Sequence, residues 1–505
     1  MKPDTALLLI LFLVIGCTAA PQPSAPTLTV NPTSPPTNAP TTVPTAILPP
    51  VVTVTALPTV PPAAAHAFYR LRVVYETTSD WSTLELRTPE NVLTMRLIET
   101  VGSPQNPETS VSRLTLNQPL EAVERGSQVG IMVDYALEAD AAGKELKFLL
   151  RKGALNGSEV RVFLVLEDGL KLLKTVSHQV VVKNNPDYNP LYFSVGLQEL
   201  SSAPLTFPHQ TTAALPKLLW AFYYPWYSLS DWSGAMLADH PLSPYLSSDR
   251  AVMERHIQQA KEAGIDGFIS SWWGPGSYTD QNLKTLLKIA HEKDFWVAIY
   301  FETLTDHGPR PESEIYTWLA NVIASYRDHP AYLKVNGKPL IVVWASGEVP
   351  LGTWERIFTR LHKEGLDGVY LAMGYGLDNL TVFDGLHEYG VFNISNLDQV
   401  FKNTSRGVHN YGLLSEGEGA KIWAATVQPG YDERLIPGRT GLFQERENGA
   451  IYRSTFEAAL QSSPDWIYIT SWNEWWENTQ IEPSELYGDL YLKITRQYVA
   501  QWKNP

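Results

Sequence analysis

Residues 267–301 read GFISSWWGPGSYTDQNLKTLLKIAHEKDFWVAIYF, and the order of patterns inside them decides the fold. A short apolar run at 267–271 passes through a Gly-Pro-Gly turn into a helix-like stretch at 281–293, and 296–301 is again short and apolar. Strand, helix, strand is the parallel βαβ unit. Working outward, the alternation continues in both directions. Further strand candidates fall at 218–223, 340–344, 368–373, 385–389, 422–427 and 466–470, with helix-like segments at 249–263, 313–327 and 353–364. Eight strands in such alternation predict an α/β fold, a (β/α)8 TIM barrel over residues 210–505.

Upstream the pattern changes. Residues 66–206 carry alternating or β-branched runs at 69–74, 92–98, 129–135, 145–150, 159–166 and 177–182, separated by turn signals such as Asn156-Gly157 and Glu167-Asp168-Gly169. They predict a smaller, all-β, sandwich-like accessory domain. It holds no carboxylate or histidine constellation, so its expected role is carbohydrate binding or plain spacing, with spacing the simpler.

Residues 18–65 are Pro, Thr, Ala and Val with almost no charge, a composition that cannot bury a core and favours extended conformations. They are expected to be a disordered tether; a glycosylated stalk has the same mechanical role. Residues 1–17 place Lys2 before an apolar run at 6–15 that ends Val14-Ile15-Gly16-Cys17, too short to span a bilayer and shaped like a bacterial lipoprotein signal whose Cys is acylated. The expected location is therefore extracytoplasmic, with the chain anchored to the membrane only through a lipid on Cys17. The plainer alternative is a cysteine removed with a secretion signal.

Cys17 is the single cysteine, which excludes disulfides and thiolate metal clusters from the folded part. A net charge of −14 without basic clusters argues against nucleic acid. The eleven histidines are scattered without a metal-binding spacing, so neither metal nor cofactor is expected. The expected state is a monomer. Sixteen tryptophans suit a sugar-binding protein, because aromatic faces stack on the C–H faces of pyranose rings, although core packing accounts for many tryptophans in any fold. Asn-x-Ser/Thr triplets at Asn156, Asn379, Asn393 and Asn403 carry little meaning in a bacterial chain.

In a barrel, residues just past each strand form the C-terminal mouth, where such folds place their chemistry. The last strand is followed by Trp472-Asn473-Glu474-Trp475-Trp476-Glu477-Asn478-Thr479-Gln480-Ile481-Glu482-Pro483. Two acids three apart among three tryptophans suit glycosidic cleavage, where repulsion and dehydration keep one carboxyl protonated while the other ionises. The competing explanation is helix capping, with Asn473 as N-cap and the glutamates facing the dipole; spacing alone does not separate the two. Other mouth residues favour the cleft: Glu302 ends the third strand, Tyr223 and Tyr224 end the first, and Trp272 and Trp273 end the second.

These stretches resemble glycoside hydrolase family 99, the endo-α-mannosidases and endo-α-1,2-mannanases, whose loop WNEWHEGTQIEP is matched by 472–483. Further matching stretches are Phe222-Tyr223-Tyr224 with Trp226-Tyr227, His240-Pro241, His256, Phe383-Asp384-Gly385 and Pro429-Gly430-Tyr431-Asp432, so the resemblance spans the barrel but not the β domain or tether. It implies a retaining endo-hydrolase of internal α-mannosidic bonds. Glu477 would be the general acid/base, and Glu474 the carboxylate that deprotonates the sugar 2-hydroxyl to give a 1,2-anhydro sugar. Glu302 would bind substrate near the reacting hydroxyls and Trp272 would wall the cleft. Tyr223, Tyr224, Trp273, His240, Trp472, Asn473, Trp476, Tyr431, Gln480 and Glu482 complete the expected α-mannan-binding set. Trp476 and Asn478 depart from the family's His and Gly. Two other functions stay open: a non-catalytic glycan-binding surface lipoprotein, and a glycosidase of another α-linked polysaccharide.

Overall fold

The computed structural model describes residues 65–503, apart from 106, 139–140, 142, 154–155, 167–168, 180–189, 198–204, 209–214, 306 and 415–420. The signal, Cys17 and nearly all of the Pro/Thr-rich tether lie outside the described residues.

Eight parallel strands form a closed barrel: β1 (Leu218–Tyr223), β2 (Gly267–Trp272), β3 (Trp296–Glu302), β4 (Lys338–Trp344), β5 (Val369–Met373), β6 (Gly385–His387), β7 (Ile422–Val427) and β8 (Trp466–Ile469). β8 pairs with β1, and the β3–β4 pairing, with Ile299 opposite Ile341, leaves no edge between the third and fourth strands. Alternation along each strand divides two cores. In β1, Leu219, Ala221 and Tyr223 face the helix layer, while Trp220 and Phe222 fill the barrel interior with Tyr300, Val342, Trp466 and Tyr468. Trp220 fits because a Cβ on Gly267 would lie 2.3 Å from its ring.

Helices α1 (Arg250–Glu262), α2 (Tyr278–Glu292), α3 (Glu312–Tyr326) and α4 (Leu351–Lys363) follow β1 to β4, and α5 (Leu397–His409), α6 (Ala450–Gln461) and α7 (Leu490–Lys503) follow β6 to β8. Asp249 and Ser277 cap α1 and α2 by accepting from Ala251 N and Asp280 N. Between β5 and β6 the connection holds only the 3-10 turn Leu377–Thr381.

The all-β region has two antiparallel sheets. One runs Val92–Val101, Val129–Glu138, Ala65–Thr77, Ser158–Leu166, Gly169–His178; the other runs Leu191–Gly196, Glu145–Lys152, Trp81–Leu86, Arg113–Asn117, Glu108–Ser110. Of the strand expected at 177–182, residues 177–178 end the strand Gly169–His178, and 180–182 lie outside the described residues. Gly169–His178 is an edge strand that exposes Leu170 and Leu172, so its pattern carries no inward alternation to read.

The sandwich docks on the end of α5 and the segment after it, and touches the connection between β5 and β6. Thr94 Oγ1 donates to Gly407 O (2.9 Å), Arg96 Nη1 to Leu414 O (2.7 Å), and Arg406 Nη1 to Glu90 O (2.8 Å). Phe68, Leu93 and Ala136 of the sandwich share a buried cluster with Leu413 and Leu414 of the barrel. The Thr109 carbonyl lies 3.4 Å from where a Cβ on Gly376 would sit, so the sandwich also touches the loop that leaves β5.

Candidate active site

Residues 471–483 form a loop folded on itself, not the start of a helix. Ser471 N donates to Thr479 O (2.9 Å), Thr479 N to Glu474 O (3.1 Å) and Ile481 N to Ser471 O (2.9 Å), while Trp472 N bonds Phe222 O of β1 (2.8 Å). The capping alternative therefore falls away. Asn473 grips β1 instead: its Oδ1 accepts from Tyr224 N (2.7 Å) and its Nδ2 donates to Tyr224 O (3.0 Å).

A buried polar network holds the loop from behind. Glu482 Oε1 lies 2.8 Å from His256 Nε2, and His256 Nδ1 is 3.2 Å from Tyr223 OH. Glu482 Oε2 accepts from Tyr245 OH (2.9 Å) and Trp475 Nε1 (3.2 Å). Tyr223, Trp472, Asn473 and Glu482 thus serve the scaffold of the site, all of them buried and engaged with protein. Gln480 joins them, its Nε2 3.2 Å from Asn478 Oδ1, and Arg446 Nη1 clamps the Gln480 carbonyl at 2.9 Å. Asn478 sits at φ 49°, the left-handed region that a Gly adopts freely and Asn tolerates best among other residues.

The two acids held by this frame differ in surroundings. Glu477 accepts from Tyr389 OH, Tyr431 OH and Arg439 Nη1, each at 3.3 Å. Glu474 Oε1 meets Trp476 N (3.2 Å) and Tyr227 OH (3.5 Å), while its Oε2 is buried and finds no hydrogen-bond partner among the described residues. Burial pushes both carboxyls up. For Glu474 the Glu477 charge adds to burial and holds it well above the ordinary range, whereas Arg439 and the two tyrosine hydroxyls restrain Glu477.

Glu302, at the end of β3, accepts from Ser271 Oγ (2.6 Å), which in turn accepts from Trp273 Nε1 (3.1 Å). Burial pushes its carboxyl up to about 8, against the opposing effects of Ser271 and Arg310. Arg310 braces the same turn, with Nε on the Glu302 carbonyl at 2.8 Å and its guanidinium 3.9 Å from the Trp318 ring. Trp272 points the other way, because it alternates with Ser271: it is buried in the helix layer, donating to Asp280 Oδ1 (3.0 Å) and packed on Trp318. Trp273, half-buried, is the tryptophan that β2 brings to the mouth.

Tyr224 is buried beside Tyr389, and burial with the nearby charges of Glu474 and Glu302 pushes its hydroxyl well up. Tyr431 stacks on Phe392 at 4.2 Å and bonds Glu433 (2.8 Å) as well as Glu477. Trp476 is half-buried against Trp226. His240 is half-buried; its carbonyl accepts from Glu485 N (2.9 Å), which ties it to the chain beyond the signature loop.

Sequence reasoning named Tyr227 only within a matching stretch and did not single out Tyr389, Arg439 or Glu388. Tyr389 ends the run read as the sixth strand, and that position was a usable signal. Arg439 reaches Glu477 from a Gly- and Pro-rich loop past β7, where nothing local marks it. Glu388 follows β6; although half-buried, its carboxyl is pushed up to about 7 by desolvation.

Crowded, dehydrated carboxyls at the mouth of a closed (β/α)8 barrel are suited to general acid/base work on a glycosidic bond. The endo-α-mannosidase of Bacteroides thetaiotaomicron has a similar fold, with a TM-score of 0.50 and 24% identity over 57% of this chain and 98% of that one. The human glycoprotein endo-α-1,2-mannosidase-like protein is 27% identical over 352 residues, covering 56% of this chain and 75% of the relative. The rat glycoprotein endo-α-1,2-mannosidase is 25% identical over 354 residues, covering 56% and 74%. Glycosyl hydrolase family 99 itself matches residues 239–502, from the aspartate before His240 through the signature loop into α7. With more than half its length in that match, the chain belongs to glycosyl hydrolase family 99 and is a glycoside hydrolase.

Proposed function

We propose that this enzyme cleaves internal α-mannosidic bonds of a mannan or mannose-containing glycan with retention of configuration. The observation that carries the reading is the Glu474–Glu477 pair, held at the barrel mouth in the loop that matches the family signature. The names of its relatives, endo-α-mannosidases, support the substrate class.

In the reaction, Glu474 takes the proton of the 2-hydroxyl while O2 attacks the anomeric carbon. The glycosidic oxygen leaves with the proton of Glu477, giving a 1,2-anhydro sugar. Water then attacks the same carbon and gives its proton to Glu477, and O2 recovers its proton from Glu474. Two inversions leave the α configuration.

The reactive form has Glu474 ionised and Glu477 protonated. Substrate supplies the bias, since its 2-hydroxyl offers Glu474 Oε2 a donor the protein does not. The high affinity of Glu474 for a proton then favours the transfer.

The test is incubation of residues 66–505 with α-mannans and other α-glycans, followed by product sizing and an NMR time course. A ladder of internal fragments with the α anomer first is expected. Single-sugar release or the β anomer first would reject the reading. A substrate lacking the 2-hydroxyl is expected to bind and resist cleavage.

A further inference from the structure

We propose that Trp476, stacked on Trp226, determines which glycans the cleft accepts, by presenting an aromatic face to the pyranose bound beside Glu474. The inference rests on the functional reading above and deepens it at one subsite.

The two indoles lie nearly parallel, with centroids 5.7 Å apart and an interplanar angle of 14°. Tyr227 meets Trp476 edge-on at 5.2 Å, and Tyr224 packs on Trp226 at 4.6 Å. Behind them Tyr224, Tyr227, Trp232 and Trp475 are buried, whereas Trp226 and Trp476 are only half-buried. The pair is thus the open end of an otherwise sealed aromatic cluster.

Its location is fixed by the chemistry next to it. Trp476 stands between the two acids in the chain, and its backbone N donates to Glu474 Oε1 at 3.2 Å. The Trp476 indole N–H is buried and meets no acceptor among the described residues, so hydrogen bonding to protein does not explain the choice of side chain.

Where the family loop carries His, the change has a definite sense. An imidazole offers both a donor and an acceptor to sugar hydroxyls; an indole offers one donor and a large apolar face. Recognition shifts from the positions of hydroxyls to the presence of a flat C–H face. Because the face is already stacked and braced, little side-chain freedom is lost on binding. The ligand class is a pyranose whose C–H face is free of axial hydroxyls on the side that meets the ring, within a chain long enough to span the mouth.

The experiment compares wild type, Trp476→Ala and Trp476→His on α-mannooligosaccharides of increasing length and on a small activated mannoside. Tryptophan fluorescence is followed in parallel as glycan is added in a Glu477→Gln background. In Trp476→Ala, KM for the longer chains should rise roughly tenfold, more than on the small mannoside, and the quench should be lost. Trp476→His should redistribute product lengths. An equal loss at every length with KM unchanged, or an undiminished quench, would overturn the proposal. A wild-type enzyme that ignores α-mannans but cleaves another α-glycan defeats the functional reading alone, because the same variants are then compared on that glycan. Inactivity on every glycan defeats both.

Discussion

Glu302 couples the chemistry of the mouth to folding. Its carboxyl is pushed up to about 8 in the native state, against an ordinary value of 4.5. Below 4.5 both states carry the proton. Between 4.5 and about 8 the unfolded chain releases it while the native site keeps it, so stability falls as pH rises through that window, by on the order of a few kcal/mol. Thermal melts from pH 4 to 9 should show this decline, and Glu302→Gln should flatten it; an unchanged slope would mean Glu302 ionises freely. Glu474→Gln and Glu477→Gln should each lower turnover by roughly a hundredfold or more, with binding by calorimetry largely kept. A good leaving group should partly rescue Glu477→Gln, but not Glu474→Gln. Arg439 draws the Glu477 carboxyl down, so Arg439→Met should move the alkaline limb of kcat/KM to higher pH, read from a rate profile. Residues adjacent to strand ends, Glu302, Tyr224 and Trp273 among them, were legible because barrel strands convert position into location. The direction of each side chain was not. Trp272 and Trp273 look alike in sequence, and only the alternation fixed by the Ser271–Glu302 bond separates the buried one from the one at the mouth.

Elements were legible in proportion to their burial. β1 and β7 fall where the apolar runs place them, and β2 to β5 differ by one or two residues, since strands buried on both faces read as continuous apolar stretches. β6 stops at His387, short of the run read to 389, because Glu388 and Tyr389 turn into the site instead of pairing. The absent helix after β5 left no signal, since a 3-10 turn and a short helix share composition. Val92–Val101 bonds the end of α5 and the segment after it, which makes that strand a structural part of the barrel flank. Removing Thr94 Oγ1 and the Arg96 guanidinium together, in Thr94→Val/Arg96→Ala, should cost about 2–4 kcal/mol in denaturant unfolding. A loss within error would show that the contact contributes nothing.

For the whole molecule, we propose that this docking makes the β region a buttress in addition to the expected spacing or carbohydrate binding. A 207–505 fragment lacks the cover over Leu413 and Leu414 and the brace on the loop beyond β5, so it should be less soluble and melt lower than 66–505 by differential scanning fluorimetry. Equal melting would return the sandwich to the role of spacer. We also propose that Cys17 is acylated and anchors the enzyme outside the cytoplasmic membrane. Cys17→Ser should leave the detergent phase on fractionation, and retention there would reject the anchor. Such an anchor would give the ladder between Ala65–Phe68 and Leu205–Pro208 a mechanical meaning. The chain enters and leaves the sandwich at the same end of its central strand, Ala65 opposite Pro208. Tension between a membrane and a glycan gripped by the barrel would load those four pairs one bond at a time, as a zipper rather than in shear. Opening them would free Ala65–Phe68 as slack while the docked contact between sandwich and barrel holds.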